Sequence, residues 1–419
     1  MHSLRSTKVT RYWIEFVIAF WMHSFVVAMY KLGYLNPLLP QIYFILLGAG
    51  VALIVFITRS RPICASMPKS LWVGVLILNL AIALSYIANG RRYESSFMLG
   101  NALSSWLMFI AVYFIATRTD ISVRVTLIIY CILTSALLPL ILAKSDMRWG
   151  RLFPWEFQPN FVGMIALIAF VGALGVRSKI GALGLSALPI YAMWIVDSRA
   201  SMLMAFLAAA MTGWISVRRA PPRAAAMWTI ALVTLACILA ASALLGGPVS
   251  HAINYLGEDV FLVDDEHRGL QSGGSGRTDL WEAALDLWVE NPIFGVGFKG
   301  HQQLMPDGML AHNAYLMVLA DMGLCGILGY LLVVCVPFYY LFRRGNALSD
   351  YPQRAIIMLT YVAYGLLEPH GFGFGNPYSI IFFLVAVDTS KQPILTQAVQ
   401  PSTLQRVPLP EERLSSADR

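Results

Sequence analysis

The sequence predicts an all-α integral membrane protein with about twelve transmembrane helices, and three observations lead there. Of its 419 residues 58% are hydrophobic and only 13% are charged, against roughly 25% charged in soluble domains, so water cannot be the solvent for most of its surface. Apolar runs near the roughly 20 residues that cross a bilayer recur along the chain. With the N-terminus in the cytoplasm, 20 of the 30 Lys and Arg residues fall on the inner side of these runs, as the positive-inside rule requires.

The runs fall near 13–30, 38–57, 71–88, 97–116, 123–143, 161–176, 179–196, 200–217, 225–246, 312–342, 353–367 and 376–389. The first follows Arg5, Lys8 and Arg11 like a signal peptide, but no small-residue cleavage site follows it and a second span comes at once, so it reads as an uncleaved helix. Residues 1–246 thus hold nine spans and 312–389 three more. Asp197-Ser198-Arg199 forms a tight hairpin between the seventh and eighth. The polar tail, 390–419, is expected to be disordered and cytoplasmic.

One long loop remains, 247–311, on the outer side, and a loop of this length in a compact protein is usually functional. A flexible Gly-rich stretch, 271–276, leads into an amphipathic helix at about 278–290. Leu280, Trp281, Ala284, Leu285 and Trp288 share its apolar face; Asp279, Glu282, Asp286 and Glu290 share the other. Two tryptophans on the apolar face suggest a helix lying along the membrane interface, ended by Asn291-Pro292.

Several function classes are excluded. The net charge of +7 is spread in small groups rather than gathered into a patch, which argues against nucleic acid. The five cysteines have no C-x-x-C spacing and read as small buried hydrophobes. Glu258, Asp259, Asp264, Asp265 and Glu266, with His251 and His267, have no defined ligand spacing and read as a solvated loop surface, so no metal or cofactor is expected.

The candidate chemistry lies at the outer face. Arg277 stands at a helix start, where the macrodipole disfavours a cation unless an anion lies opposite; a phosphate site and an interfacial ion pair both satisfy this. Gly276-Arg277-Thr278 is not a nucleotide P-loop, since position 271 is Gln and Arg replaces the Lys. Arg199 at its hairpin tip can snorkel to headgroups or face a polar cavity. Arg91, Arg92, Arg148 and Arg151 add outer cations against the topology signal, and guanidinium suits bidentate binding of phosphate. His312, at the start of a span, is either a structural histidine or a proton acceptor. Glu368 and His370, in Leu367-Glu368-Pro369-His370-Gly371-Phe372-Gly373, lie at the same membrane face and are either partners of these site residues or a capped, Gly-rich turn, with the turn favoured.

Four ordered pieces in the second half, Gly276-Arg277-Thr278-Asp279-Leu280-Trp281, Asn291-Pro292-Ile293-Phe294-Gly295-Val296-Gly297, Ala311-His312-Asn313-Ala314-Tyr315-Leu316 and Met322-Gly323-Leu324-Cys325-Gly326, resemble the bacterial O-antigen ligase and polymerase superfamily. Asp197-Ser198-Arg199-Ala200-Ser201 resembles its Ser-Arg element. The resemblance implies a GT-C-like fold and an inverting, metal-independent transfer of a glycan from undecaprenyl diphosphate to the lipid A–core oligosaccharide, at the periplasmic face of the inner membrane. It implies Arg199, Arg277 and His312 as the catalytic residues, with Arg91, Arg92, Arg151, Asn313 and Trp281 binding substrate. Polymerases and protein O-glycosyltransferases share the motifs. A transporter or flippase of lipid-linked glycans is the rival of another class, though its charged groups would sit at the bilayer midplane rather than at one face.

Overall fold

A computed structural model describes residues 13–24, 39–58, 65–89, 95–148, 151–154, 157–219, 273–306, 309–345, 348, 350–369 and 376–393. Its helices are α1 (13–24), α2 (Leu39–Thr58), α3 (Lys69–Asn89), α4 (Ser95–Arg118), α5 (Val123–Ala143), α6 (Pro159–Leu174), α7 (Lys179–Ile195) and α8 (Arg199–Arg219), followed by α9 (Gly273–Glu290), α10 (His301–Leu304), α11 (Ala314–Arg344), α12 (Tyr351–Gly365) and α13 (Pro377–Ser390). Most follow the apolar runs to within a few residues. Among the described residues, four helices are long and apolar enough to cross a membrane: Lys69–Asn89, Val123–Ala143, Arg199–Arg218 and Ala314–Arg344. The expected span at 225–246, the acidic cluster, Arg91, Arg92 and His370 lie outside the described residues, as does most of the outer loop.

Among the described residues four short strands interrupt the helices. β1 (Ala65–Ser66) pairs with β4 (Gln392–Pro393), which fastens the first residues of the C-terminal tail; β2 (Ser145–Arg148) and β3 (Arg151–Pro154) form an antiparallel hairpin between α5 and α6. Arg151 pairs with Arg148 at the tip of that hairpin.

The core is apolar, yet many large apolar side chains also stand at the surface and a few charges are buried. Leu76, Ile87, Ile110, Leu140, Leu183 and Phe206 are exposed, while Asp321, Arg354, Glu368 and Asp388 are buried. Apolar side chains outside and paired charges inside are what a lipid solvent selects. α6 and α13 are buried almost throughout and form the centre, with α5, α7 and α8 packed around α6.

Charged residues collect at the two ends of the bundle. At one end, Glu15 accepts the Ser122 N–H, Asp350 accepts from the Ser122 hydroxyl, Arg124 bonds the Gly175 carbonyl, and Lys391 bridges Asp120 and Asp388. Arg354 also pairs with Asp388. The segments holding Arg199, Arg277, His312 and Glu368 meet at the other end.

Among the described residues α11 is the longest helix, and it is broken. At ~1.5 Å per residue it would run some 46 Å, well beyond the ~30 Å hydrocarbon core. At Gly323 the backbone leaves the helical region (φ 60, ψ −156), which frees amides and carbonyls that lipid could not satisfy. Loop 291–297 takes them up: Leu324 and Cys325 donate to the Pro292 and Ile293 carbonyls, and Val296 and Gly297 donate to Ala320 and Asp321. Gly295, also left-handed at φ 63, sits so close that a Cβ there would lie 2.3 Å from the Asp321 carbonyl carbon. Asn89 of α3 bonds the Gly295 carbonyl and Ser85 the Asp321 carbonyl. A buried Asp321–His301 contact of 2.6 Å completes the lock.

Candidate functional site

α9 starts at Gly273, one turn earlier than the sequence suggests, because glycine costs helix propensity without barring helical geometry. Arg277 therefore lies inside the first turns rather than at the helix edge. An anion does stand opposite it, and it belongs to the protein. Arg277 Nη1 donates to the Leu367 carbonyl at 2.8 Å and Nη2 to Glu368 Oε1 at 3.0 Å.

Of the two readings for Glu368, the structure bears out the partner rather than the simple turn. It is 1% exposed, and its Oε1 also accepts from Asn160 Nδ2 at 2.8 Å, while Oε2 lies 3.3 Å from His312 Nδ1. It thus joins α6, α9 and the start of α11. The signal for the partner role is an acid closing an apolar span on the face that carries Arg277 and His312, where a buried carboxylate needs cationic or N–H partners.

His312 sits in the left-handed region (φ 49), immediately before the cap of α11, and is about one third exposed. As a carboxylate, Glu368 can only accept, which places the imidazole proton on Nδ1 and leaves the Nε2 lone pair available. Asn313 caps α11, its Oδ1 accepting from the Tyr315 and Leu316 amides, so only its Nδ2 remains for a ligand. The apolar face of α9, with Leu280, Trp281 and Ala284, packs on Met305, Ala311, Met317 and Ala320. Part of this face thus covers protein, while Leu285 on the same face is exposed. Trp281 Nε1 is buried with no hydrogen-bond partner among the described residues.

Arg199 begins α8 beyond a hairpin turned by left-handed Asp197, whose carboxylate lies 3.5 Å from its Nε. The hairpin reaches the Glu368 cluster through hydroxyls. Ser198 Oγ donates to Ser201 Oγ at 2.9 Å, Ser201 Oγ lies 3.2 Å from Tyr364 Oη, and Tyr364 donates to the Asn160 carbonyl at 3.3 Å. The structure therefore brings Arg277 and His312 onto one carboxylate and ties the Arg199 hairpin to it. By the kink in α11, burial pushes the Lys299 ammonium down from its usual range, opposed by Asp321. Among the described residues no group of His, Cys, Asp and Glu could hold a metal ion.

Fold and site together define a helical membrane protein with a polar, arginine- and histidine-bearing centre at one end of its bundle. Residues 183–331, from α7 into α11, match the family model described as O-antigen ligase, and Arg199, Arg277 and His312 fall within the matched segment. No curated protein matches the chain. Asn160, Tyr364 and Glu368 lie outside the matched segment.

Proposed function

We propose that this protein is an O-antigen ligase. It transfers a glycan from undecaprenyl diphosphate to the lipid A–core oligosaccharide at the periplasmic face of the bacterial inner membrane, on a GT-C-like scaffold of about twelve spans. The family domain supports the class of reaction. The observation that carries the site assignment is Glu368 joined to both Arg277 and His312.

In this reading His312 Nε2 takes the proton of the acceptor hydroxyl as its oxygen attacks the anomeric carbon. The bond from that carbon to the diphosphate breaks on the opposite face, its electron pair stays on the bridging oxygen, and configuration inverts. Arg199 and Arg277 hold the departing diphosphate, with Arg91, Arg92 and Arg151 as further outer cations. Arg277 spends two of its five N–H donors on Leu367 and Glu368, which leaves three for phosphate. Such fixed donors act where charge develops and need no metal.

The test is transfer by the purified protein from lipid-linked donor to core acceptor. His312→Ala, Arg199→Ala and Arg277→Ala should each leave the protein folded and slow transfer by at least about 10²–10³. Wild-type rates in all three would refute the assignment. Loss of activity in chelator, restored by a divalent ion, would refute the metal-free mechanism. A polymerase differs in its null strain, which accumulates single repeats on the lipid carrier instead of long polymer.

A further inference from the structure

We infer that Tyr364 is a positioning residue that holds the arginine hairpin and the Glu368 carboxylate in register. The inference rests on the function proposed above. The donors along the chain run one way. Tyr364 has a single hydroxyl proton and gives it to the Asn160 carbonyl, so Ser201 must donate to Tyr364, and Ser198 donates to Ser201. Asn160 then donates from Nδ2 to Glu368. Ser198, Ser201 and Tyr364 are all fully buried, where no water competes and each lost bond leaves an unsatisfied group.

The packing adds no slack. One turn beyond Asn160, a Cβ on Gly163 would fall 2.2 Å from Ser198 Oγ, so the helix carrying Asn160 and the hairpin carrying Arg199 touch directly. A displacement of the hairpin therefore reaches Asn160, then Glu368, and through it both Arg277 and His312. Tyr364 sits where these paths join, bonded to Ser201 on one side and Asn160 on the other.

The test compares Tyr364→Phe, Ser201→Ala and the double variant in the transfer assay, with membrane accumulation as control. Tyr364→Phe should lower kcat about tenfold, the size of one buried hydrogen bond, with KM for the donor within about twofold. The double variant should be no slower than Tyr364→Phe alone, since both changes cut one chain. Wild-type kcat in Tyr364→Phe, or losses that simply multiply, would overturn the inference. Should Tyr364→Phe fail to accumulate, Ser201→Ala alone decides: an unchanged kcat overturns it.

A second readout needs no glycan. The rate of carbethoxylation at His312 at one fixed pH, followed by mass spectrometry of its peptide, reports how firmly Glu368 holds the imidazole. In Tyr364→Phe that rate should rise about twofold or more, because a loosened carboxylate no longer holds the ring in place. An unchanged rate overturns the positioning role. Absence of transfer by the wild type would instead overturn the functional reading, and this labelling rate would then judge Tyr364 independently.

Discussion

Glu368 Oε2 and His312 Nδ1 stand 3.3 Å apart across 56 positions of sequence, with the carboxylate buried and the imidazole partly open. That arrangement fixes which imidazole nitrogen carries the proton and turns the other one outward. The same carboxylate restrains Arg277, so a single buried charge orients the candidate base and a candidate phosphate ligand together.

Glu368→Gln keeps the shape but puts an amide where Arg277, Asn160 and His312 all direct donors. One oxygen cannot serve all three. Transfer should fall by about 10²–10³, comparable to losing an electrostatic group at the reacting centre. Glu368→Asp, with its carboxylate retained but retracted, should lose less. Rates at equal membrane abundance check both.

The sequence made the helices legible because lipid imposes length and composition on them: the run read at 123–143 is α5, and 312–342 differs from α11 by two residues at each end. The break at Gly323 was not legible, since apolar residues continue through it and only tertiary pairing with loop 291–297 reveals it. The motif pieces around Asn291 and Met322 could be recognised without showing that they bond to each other. Arg277 and His312 stood out by residue type and place. Glu368 stood between two readings, because a single acid in a Gly-rich turn is decided only when its partners arrive from α6, α9 and the segment before α11. Asp321, alone among apolar residues, carried a comparable signal.

The kink predicts sharp sensitivity at Gly323. Its φ of 60 is strained for any other residue, and a Cβ would lie 2.4 Å from the Ile293 carbonyl. Backbone strain alone costs roughly 1–3 kcal/mol, and the steric overlap adds to it. Gly323→Ala should lower the thermal midpoint in detergent and expose loop 291–297 to protease. Gly213, with open space around its Cβ position, serves as the control and should tolerate alanine.

Asp321 and His301 should behave as an anchor rather than as chemistry. Both are 1% exposed, and Asp321 Oδ1 accepts the His301 backbone N–H at 3.1 Å while lying 2.6 Å from its ring Nδ1. Removing one member of such a pair leaves the other buried without compensation, typically a loss of about 3–5 kcal/mol. Asp321→Ala should therefore unfold at markedly lower temperature, whereas Asp321→Asn keeps an acceptor oxygen and should lose less. Equal midpoints for wild type and Asp321→Ala would show that the loop is held by its backbone bonds alone.

Asn313 separates capping from recognition. Its Oδ1 satisfies two of the free amides that begin α11, and loss of such a cap costs about 0.5–2 kcal/mol. Asn313→Asp keeps the acceptor and removes Nδ2, the atom left for substrate. Asn313→Ala removes both. If Nδ2 holds substrate, Asn313→Asp should fold like the wild type and still raise KM, while Asn313→Ala loses stability as well. An Asn313→Asp enzyme with unchanged kinetics would confine Asn313 to the helix end, and His312 would then owe its placement, though not its substrate contact, to the residue beside it.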